Sequence, residues 1–169
     1  AAQTGGPSGG MIPYTYLDTP ISYESLEGLG SIMGSGGLIV MDESDCIVDV
    51  ASFYLQFTID ESCGKCTPCR VGGKQLHSVL EDISKGKAKE KDIELLESIC
   101  NIMKKASLCG LGTTAPNPVM SSLRHFKNEY LEHIGNRKCR AKKCTSLVSF
   151  EIDPEKCTGC TLCVRHCSV

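Results

Sequence analysis

Cys63, Cys66 and Cys69 stand two residues apart from one another in ESCGKCTPCR, residues 61–70. A cubane 4Fe-4S cluster takes one thiolate per iron, so one tight loop can hold three irons. Cys109, in SLCGLG at 107–112, is the natural fourth ligand. Gly64 can supply the positive φ that wrapping requires, and Pro68 is expected to keep helix from running across the loop. Lys65 and Arg70 place positive charge beside the site, which raises a cluster's potential. An all-thiolate zinc site from the same four residues is stereochemically allowed, as are disulfides. The compact triple run nonetheless favours the cluster, because zinc sites more often use two separated pairs.

The remaining cysteines point to sites rather than to a uniform disulfide framework. The 169 residues contain twelve cysteines, none of them before residue 46. Metal or cluster binding explains such grouping best. The sequence has no signal peptide and no apolar run of membrane-spanning length, and reduced thiols suit an intracellular compartment, so a cytoplasmic protein is expected. The net charge of −2 arises from interspersed acids and bases, which argues against a nucleic-acid partner.

These sites need elements to position them. AAQTGGPSGG at 1–10 is glycine-rich and lacks an initiator Met, as if it continued something upstream. It is not a P-loop, having no terminal Lys-Ser/Thr, and it reads as a loop with close backbone packing. A short helix over 23–29 is capped by Ser22, and GSGG at 34–37 turns into a strand, GLIVMDE. That strand ends in Asp42-Glu43 like the acidic half of an ATPase site, but no G-x-x-x-x-G-K-[ST] partner occurs. Its glycines also precede the strand, so they are no dinucleotide fingerprint.

From residue 46 the period becomes helical. Val50, Phe53, Tyr54 and Phe57 predict a helix over about 46–59 with that face buried. Leu76, Val79, Leu80 and Ile83 predict a second from about 71 to 84 or 85, ended by Gly86. Leu96, Ile99, Cys100 and Met103 predict a third. A fourth, with Asn117 as N-cap and Pro118 in its first turn, buries Leu123, Phe126, Tyr130 and Ile134 and stops at Gly135. Short connections make this an antiparallel up-down bundle. Helices one and two meet at the 63–69 loop and helix three returns to the same end, so the topology delivers Cys109 to the other three cysteines.

The tail reads as another module. LVSFEID predicts a strand over 147–153, and CTGCTLCVRHC follows with Cys157, Cys160, Cys163 and Cys167 at bacterial ferredoxin spacing. In two-cluster ferredoxins the fourth cysteine, here Cys167, ligates the other cluster, so Cys157, Cys160 and Cys163 offer three thiolates to an incomplete second site. Residues beyond about 145 are expected to be disordered or loosely attached, for want of core. His133, Cys139 and Cys144 are candidate ligands of a structural zinc that pins this linker; the alternative is a solvent-facing His and two free thiols. Cys100 is the fourth ligand by residue type, but helix geometry places it about 9 Å from the cluster end and His133 about 24 Å from it, which argues against its inclusion. Cys46 and Cys100 are read as core cysteines, and His77 and His125 as surface or satisfied histidines.

Taken together, QTGGPSGG, LDTPISYESL, GSGGLIVMDE, ESCGKCTPCRVGGK and SLCGLGTTAPNPVMSSLRHFKNEY resemble, in order, the C-terminal part of the NADH-binding flavoprotein subunits of respiratory complex I. The tail beyond residue 135 resembles the NAD(P)-linked, often electron-bifurcating, iron hydrogenase and formate dehydrogenase subunits. Met11 stands where some of these carry Cys. The resemblance implies an α+β chain: residues 1–44 the end of a β-grasp domain, 45–135 the iron-sulfur four-helix bundle, 136–169 a linker and half of a two-cluster ferredoxin-like module. It implies single-electron exchange between upstream FMN and the cluster of Cys63, Cys66, Cys69 and Cys109. Neither FMN nor NAD(P) is expected to bind this chain tightly by itself. Expected partners are other iron-sulfur subunits, including a thioredoxin-like 2Fe-2S subunit and a hydrogenase subunit. The competing reading is a zinc-stabilised scaffold with no redox role.

Overall fold

The computed structural model describes residues 1–166, so Cys167 lies outside the described residues. Three short strands, β1 (Ala2–Thr4), β2 (Gly10–Ile12) and β3 (Leu38–Val40), form an antiparallel sheet in the order β2-β1-β3. The β1–β2 connection is drawn so tight that a Cβ on Gly9 would lie 1.6 Å from the Thr4 carbonyl oxygen, which restricts this position to glycine. Ser31 Oγ accepts from the Gly10 N–H at 2.8 Å and pairs with Thr4 Oγ1 at 2.6 Å, satisfying polar groups where the strands are buried. All three β3 residues are exposed.

Helix α1 (Tyr23–Gly28) begins as the sequence implies, with Ser22 Oγ accepting from the Ser25 N–H. The larger helices are α2 (Ile47–Asp60), α3 (Thr67–Ser84), α4 (Lys91–Ala106) and α6 (Asn117–Leu131), with a short α5 (Gly110–Thr114) before the last. They pack in a ring, α2 on α3, α3 on α4, α4 on α6 and α6 on α2, while β2 lies against α6. The Met11 N–H donates to Ser121 Oγ at 2.9 Å, tying sheet to helix. Leu55, Leu76, Leu80, Ile83, Leu96, Met103 and Tyr130 are fully buried between the helices, and Ser122 satisfies the Tyr130 hydroxyl at 2.6 Å. Each such aliphatic side chain contributes about 1.5–3 kcal/mol by leaving water.

Several expectations need correction. Helix α2 buries Ile47, Val48, Ala51, Tyr54, Leu55 and Thr58, whereas Phe53 and Phe57 face outward, 68% and 46% exposed. Two overlapping apolar stripes share this helix, and the one carrying small Ala51 permits the closer approach to α3 and α6. Helix α3 starts four residues earlier than 71, with Pro68 in its first turn. There the missing N–H has no helical partner to lose, so Pro68 opens the helix instead of excluding it. Asn117 is not a cap: its Nδ2 donates to the Ser8 carbonyl at 2.8 Å, and Pro116 occupies the cap position. Gly135 does not stop the last helix. The chain passes through a π-helical turn, Glu132–Asn136, and leaves it at Arg137 with φ 48°.

The strand expected at 147–153 does not form. Residues 145–147 make a 3-10 turn, Phe150 and Ile152 are exposed, and only the short helix α7 (Leu162–His166) follows. A strand needs a neighbour for its backbone groups, and among the described residues none pairs with this segment. The linker before it is attached. Cys139, Cys144 and Leu147 join the hydrophobic core, and Arg140 holds Glu132 in a two-pronged ion pair. Among the described residues, no helix is long and apolar enough to cross a membrane.

Candidate metal centres

The cysteines expected to hold a cluster lie in the turn after α2, at the start of α3 and at the N-terminus of α5, which packs on α3. Helix α2 ends at Asp60, Cys63 follows in the connecting turn, Cys66 caps α3, and Cys69 lies in its first turn. Gly64 adopts φ 70°, the left-handed bend expected of it, and Arg70 anchors the turn by donating to the Gly64 carbonyl at 2.6 Å. The guanidinium thus stays beside the site, as the sequence suggests. Cys109 caps α5, which packs on α3 and α4.

The two cysteine loops touch. The Leu108 backbone N–H, then that of Cys69, hydrogen-bonds Cys66 and holds its thiol below the ordinary range, with Arg70 adding charge. Gly112 closes against Cys69, since a Cβ there would lie 3.1 Å from Cys69 Cβ. Ser62 Oγ is 3.3 Å from Cys69 Sγ. Cys69 is buried, Cys66 half-buried, and Cys63 and Cys109 are exposed. Three features suit a polynuclear cluster at the surface. Backbone N–H groups face sulfur, cationic charge stands nearby, and the buried Ser107 hydroxyl near Cys69 has no partner among the described residues.

A second site lies at the other end of α2. Cys46 at its N-cap, His133 in the π-helical turn, and Cys139 and Cys144 in the linker bring their ligand atoms within 4.8 Å of one another, all four residues buried. Cys46 Sγ is 3.3 Å from His133 Nε2 and 3.8 Å from Cys144 Sγ, and Cys144 Sγ is 3.5 Å from the same nitrogen. A carbonyl only accepts, so His133 Nδ1–H must donate to Glu129 O at 2.7 Å, which turns Nε2 toward the sulfurs, where it can ligate a metal once its proton is lost.

The site's protons are strongly redistributed. The hydrogen bond from the Cys144 thiol, against burial and with help from His133, lowers Cys46 to about 4. Cys144 is pushed far up by that same bond to Cys46 and by burial. Burial opposes a charge on His133, but its bonds to Cys46 and to the Glu129 carbonyl outweigh that and raise it to about 9. One thiolate and one imidazolium are thus already favoured.

Cys46 is therefore not the plain core cysteine that its position implies. It lies 87 residues from His133, and no local spacing joins them. A cysteine at an N-cap, where Ser, Thr, Asn or Asp is the normal choice, was the available signal. Cys100 is buried in the core away from this cluster, its thiol pushed up to about 12 by burial and then by Glu97. His125 Nε2 meets the Leu29 carbonyl at 3.2 Å.

In the tail, Cys157 and Cys160 occupy an exposed loop and Cys163 lies in α7. Gly159 has φ 70°, and the Leu162 N–H, followed by the Thr158 hydroxyl, lowers the Cys160 thiol.

This chain thus combines a mixed helix and sheet fold with iron-sulfur-binding regions, the equipment of an electron-transfer module of oxidoreductases. Residues 49–133 match the NADH-ubiquinone oxidoreductase-F iron-sulfur binding region, and the chain belongs to that family. Residues 150–169 match the 4Fe-4S binding domain. Across all of its length the chain is 55% identical to NADP-reducing hydrogenase subunit HndC of Solidesulfovibrio fructosivorans, covering 34% of that protein. Over 80% of its length it is 41% identical to a subunit of the NADH-quinone oxidoreductase of Streptomyces coelicolor, covering 30% of that subunit. The chain therefore spans about a third of the curated relatives it matches. Among solved structures, an NAD+-reducing [NiFe]-hydrogenase in the H2-reduced state aligns with TM-score 0.72 and 28% identity, over 92% of this chain and 28% of that one.

Proposed function

We propose that this chain relays single electrons within an NAD(P)-linked oxidoreductase, through a 4Fe-4S cluster held by Cys63, Cys66, Cys69 and Cys109. The observation that carries this reading is the junction of the two loops, where Gly112 comes so close that a Cβ on it would lie 3.1 Å from Cys69 Cβ, with the lowered Cys66 thiol beside the Leu108 amide in support. It supports delivery of Cys109 to the triple-cysteine turn by the ring of α2, α3, α4 and α6, read as the expected four-helix bundle. The cluster supplies one-electron redox chemistry; the chain supplies thiolates, N–H donors and a cation. Exposure of Cys63 and Cys109 supports electron exchange with groups outside the chain. Those groups are FMN in upstream sequence, reduced by NAD(P)H or reducing NAD(P)+, and iron-sulfur centres of partner subunits such as a thioredoxin-like 2Fe-2S subunit. Residues 1–44 are read as the end of a β-grasp domain and residues 136–169 as linker and partial ferredoxin-like module.

Cys157, Cys160 and Cys163 are proposed ligands of a second cluster, with Cys167 directed to a further one. The four-donor site is proposed to hold zinc. Tetrahedral zinc at about 2.3 Å from each sulfur sets two thiolates about 3.8 Å apart, which is the Cys46–Cys144 separation of 3.8 Å. Zinc there would join α2, the π-helical turn after α6 and the linker, away from the cysteine turn at the far end of α2.

Anaerobically purified protein is expected to be brown, to contain acid-labile sulfide and to lose its broad blue absorption on reduction. Colourless protein containing zinc but no sulfide would instead support the scaffold reading.

A further inference from the structure

Two serines beside the cysteine turn have side chains that, among the described residues, hydrogen-bond to no helix backbone. Ser62 Oγ accepts from the Gly64 N–H at 3.3 Å and lies 3.3 Å from Cys69 Sγ. With a lone pair occupied by Gly64, its one proton is free for the sulfur. A ligating thiolate has no proton of its own and can only accept. Ser107 Oγ is shut away from solvent and has no hydrogen-bond partner among the described residues. It lies across Gly112 from Cys69: a Cβ on Gly112 would be 2.7 Å from Ser107 Oγ and 3.1 Å from Cys69 Cβ. Ser107 and Cys69 can be no further apart than those two distances together allow. A buried hydroxyl left unpaired is costly, and the sulfur atoms of a cluster held by Cys69 would be acceptors it could use.

We propose that Ser62 and Ser107 donate hydrogen bonds to sulfur of the cluster and so set its reduction potential; this rests on the assignment of Cys63, Cys66, Cys69 and Cys109 as its ligands. One-electron reduction adds negative charge to the cluster, spread over its sulfurs. A hydroxyl pointing at sulfur interacts more strongly with the reduced state and raises the potential. Ser62 acts on the Cys69 thiolate from the α2 side, and Ser107 approaches from the α4–α5 turn. Gly112 is the spacer that lets Ser107 come this near, because any side chain there would displace it. Neither serine is a ligand, so both are tuning residues, and their removal should leave the iron in place.

The experiment is an EPR-monitored redox titration of anaerobically purified protein, with iron and sulfide measured on each sample. Ser62→Ala is expected to keep its iron and to titrate at lower potential, with about a tenfold fall in the reduced-to-oxidised ratio at fixed poise, about 59 mV for one electron. Ser62→Thr, which retains the hydroxyl, should restore the value, and Ser107→Ala should shift it less and in the same direction. An unchanged midpoint in both alanine variants and in the double variant, with full iron, overturns the proposal while leaving the cluster intact. Iron that persists with an unchanged spectrum in Cys109→Ala overturns the ligand assignment instead. If Ser62→Ala binds no iron, electron-nuclear double resonance on the unaltered and Ser107→Ala reduced proteins in H2O and D2O decides. An exchangeable cluster-coupled proton that is lost or weakened in Ser107→Ala supports the proposal; exchangeable couplings identical in Ser107→Ala overturn it.

Discussion

The two ends of α2 hold cysteine sites of opposite character. Cys46 caps its N-terminus and Cys63 follows its C-terminus, with fourteen helical residues, about 21 Å, between them. At the N-terminal end four donors converge within 4.8 Å, and every one is buried. At the other end the cysteines are spread over one turn and the start of α5, and Cys63 and Cys109 reach solvent. A dry, tight, four-donor site suits an ion that holds elements together. A site at the surface, lined by N–H donors, suits a group that must pass electrons on. Thiolates alone do not separate these roles; burial and donor spacing do.

Removal of the buried site's ion should have the largest effect on stability. Cys46→Ala, or a strong chelator, is expected to remove zinc but leave iron and sulfide unchanged. An ion present at about a thousand times its dissociation constant contributes about 4 kcal/mol, and for a chain of this size the melting temperature should fall by about 8–16 °C. Calorimetry with metal analysis checks this, and a coupled loss of iron would break the separation between the two ends.

The pH dependence sharpens the same contrast. In metal-free protein His133 is raised from 6.5 to about 9, so its protonated form contributes stability that is full below 6.5 and lost as pH rises through about 9. Zinc binding must displace that proton and thiol protons, so zinc affinity grows over the same interval. The gain in melting temperature on adding zinc should therefore increase from pH 6 to pH 9, and a gain independent of pH would exclude His133 as a ligand.

Gly112→Ala tests the exposed end. The added methyl would sit 2.7 Å from Ser107 and 3.1 Å from Cys69, for a cost of about 1–3 kcal/mol and a disturbed cluster spectrum. The smallest effect is expected from Phe150→Asp. Phe150 is exposed and outside the core, so the melting temperature should change by less than about 1 °C.

The sequence carried the α3 and α4 apolar faces because Leu76, Leu80 and Ile83, or Leu96, Ile99 and Met103, repeat at helical spacing with few competitors. It misled at α2, where Phe53 and Phe57 form an apolar stripe as regular as the true one. Aromatic bulk there outweighed the cue of Ala51, which only a neighbouring helix makes meaningful. Cys63, Cys66 and Cys69 were legible because their ligand spacing is local. Cys46 was not, since its partners arrive from the π-helical turn and the linker after the whole helical ring has closed. Ser62 and Ser107 were equally hidden, because serine carries no periodic signal and their places depend on how two loops meet.

The most direct test of the division of labour is metal analysis with EPR on two variants side by side, Cys109→Ala and Cys46→Ala. Cys109→Ala is expected to lose or degrade the signal of the reduced cluster and to retain zinc, and Cys46→Ala to retain that signal and lose zinc. Full iron with an unchanged spectrum in Cys109→Ala would contradict the account.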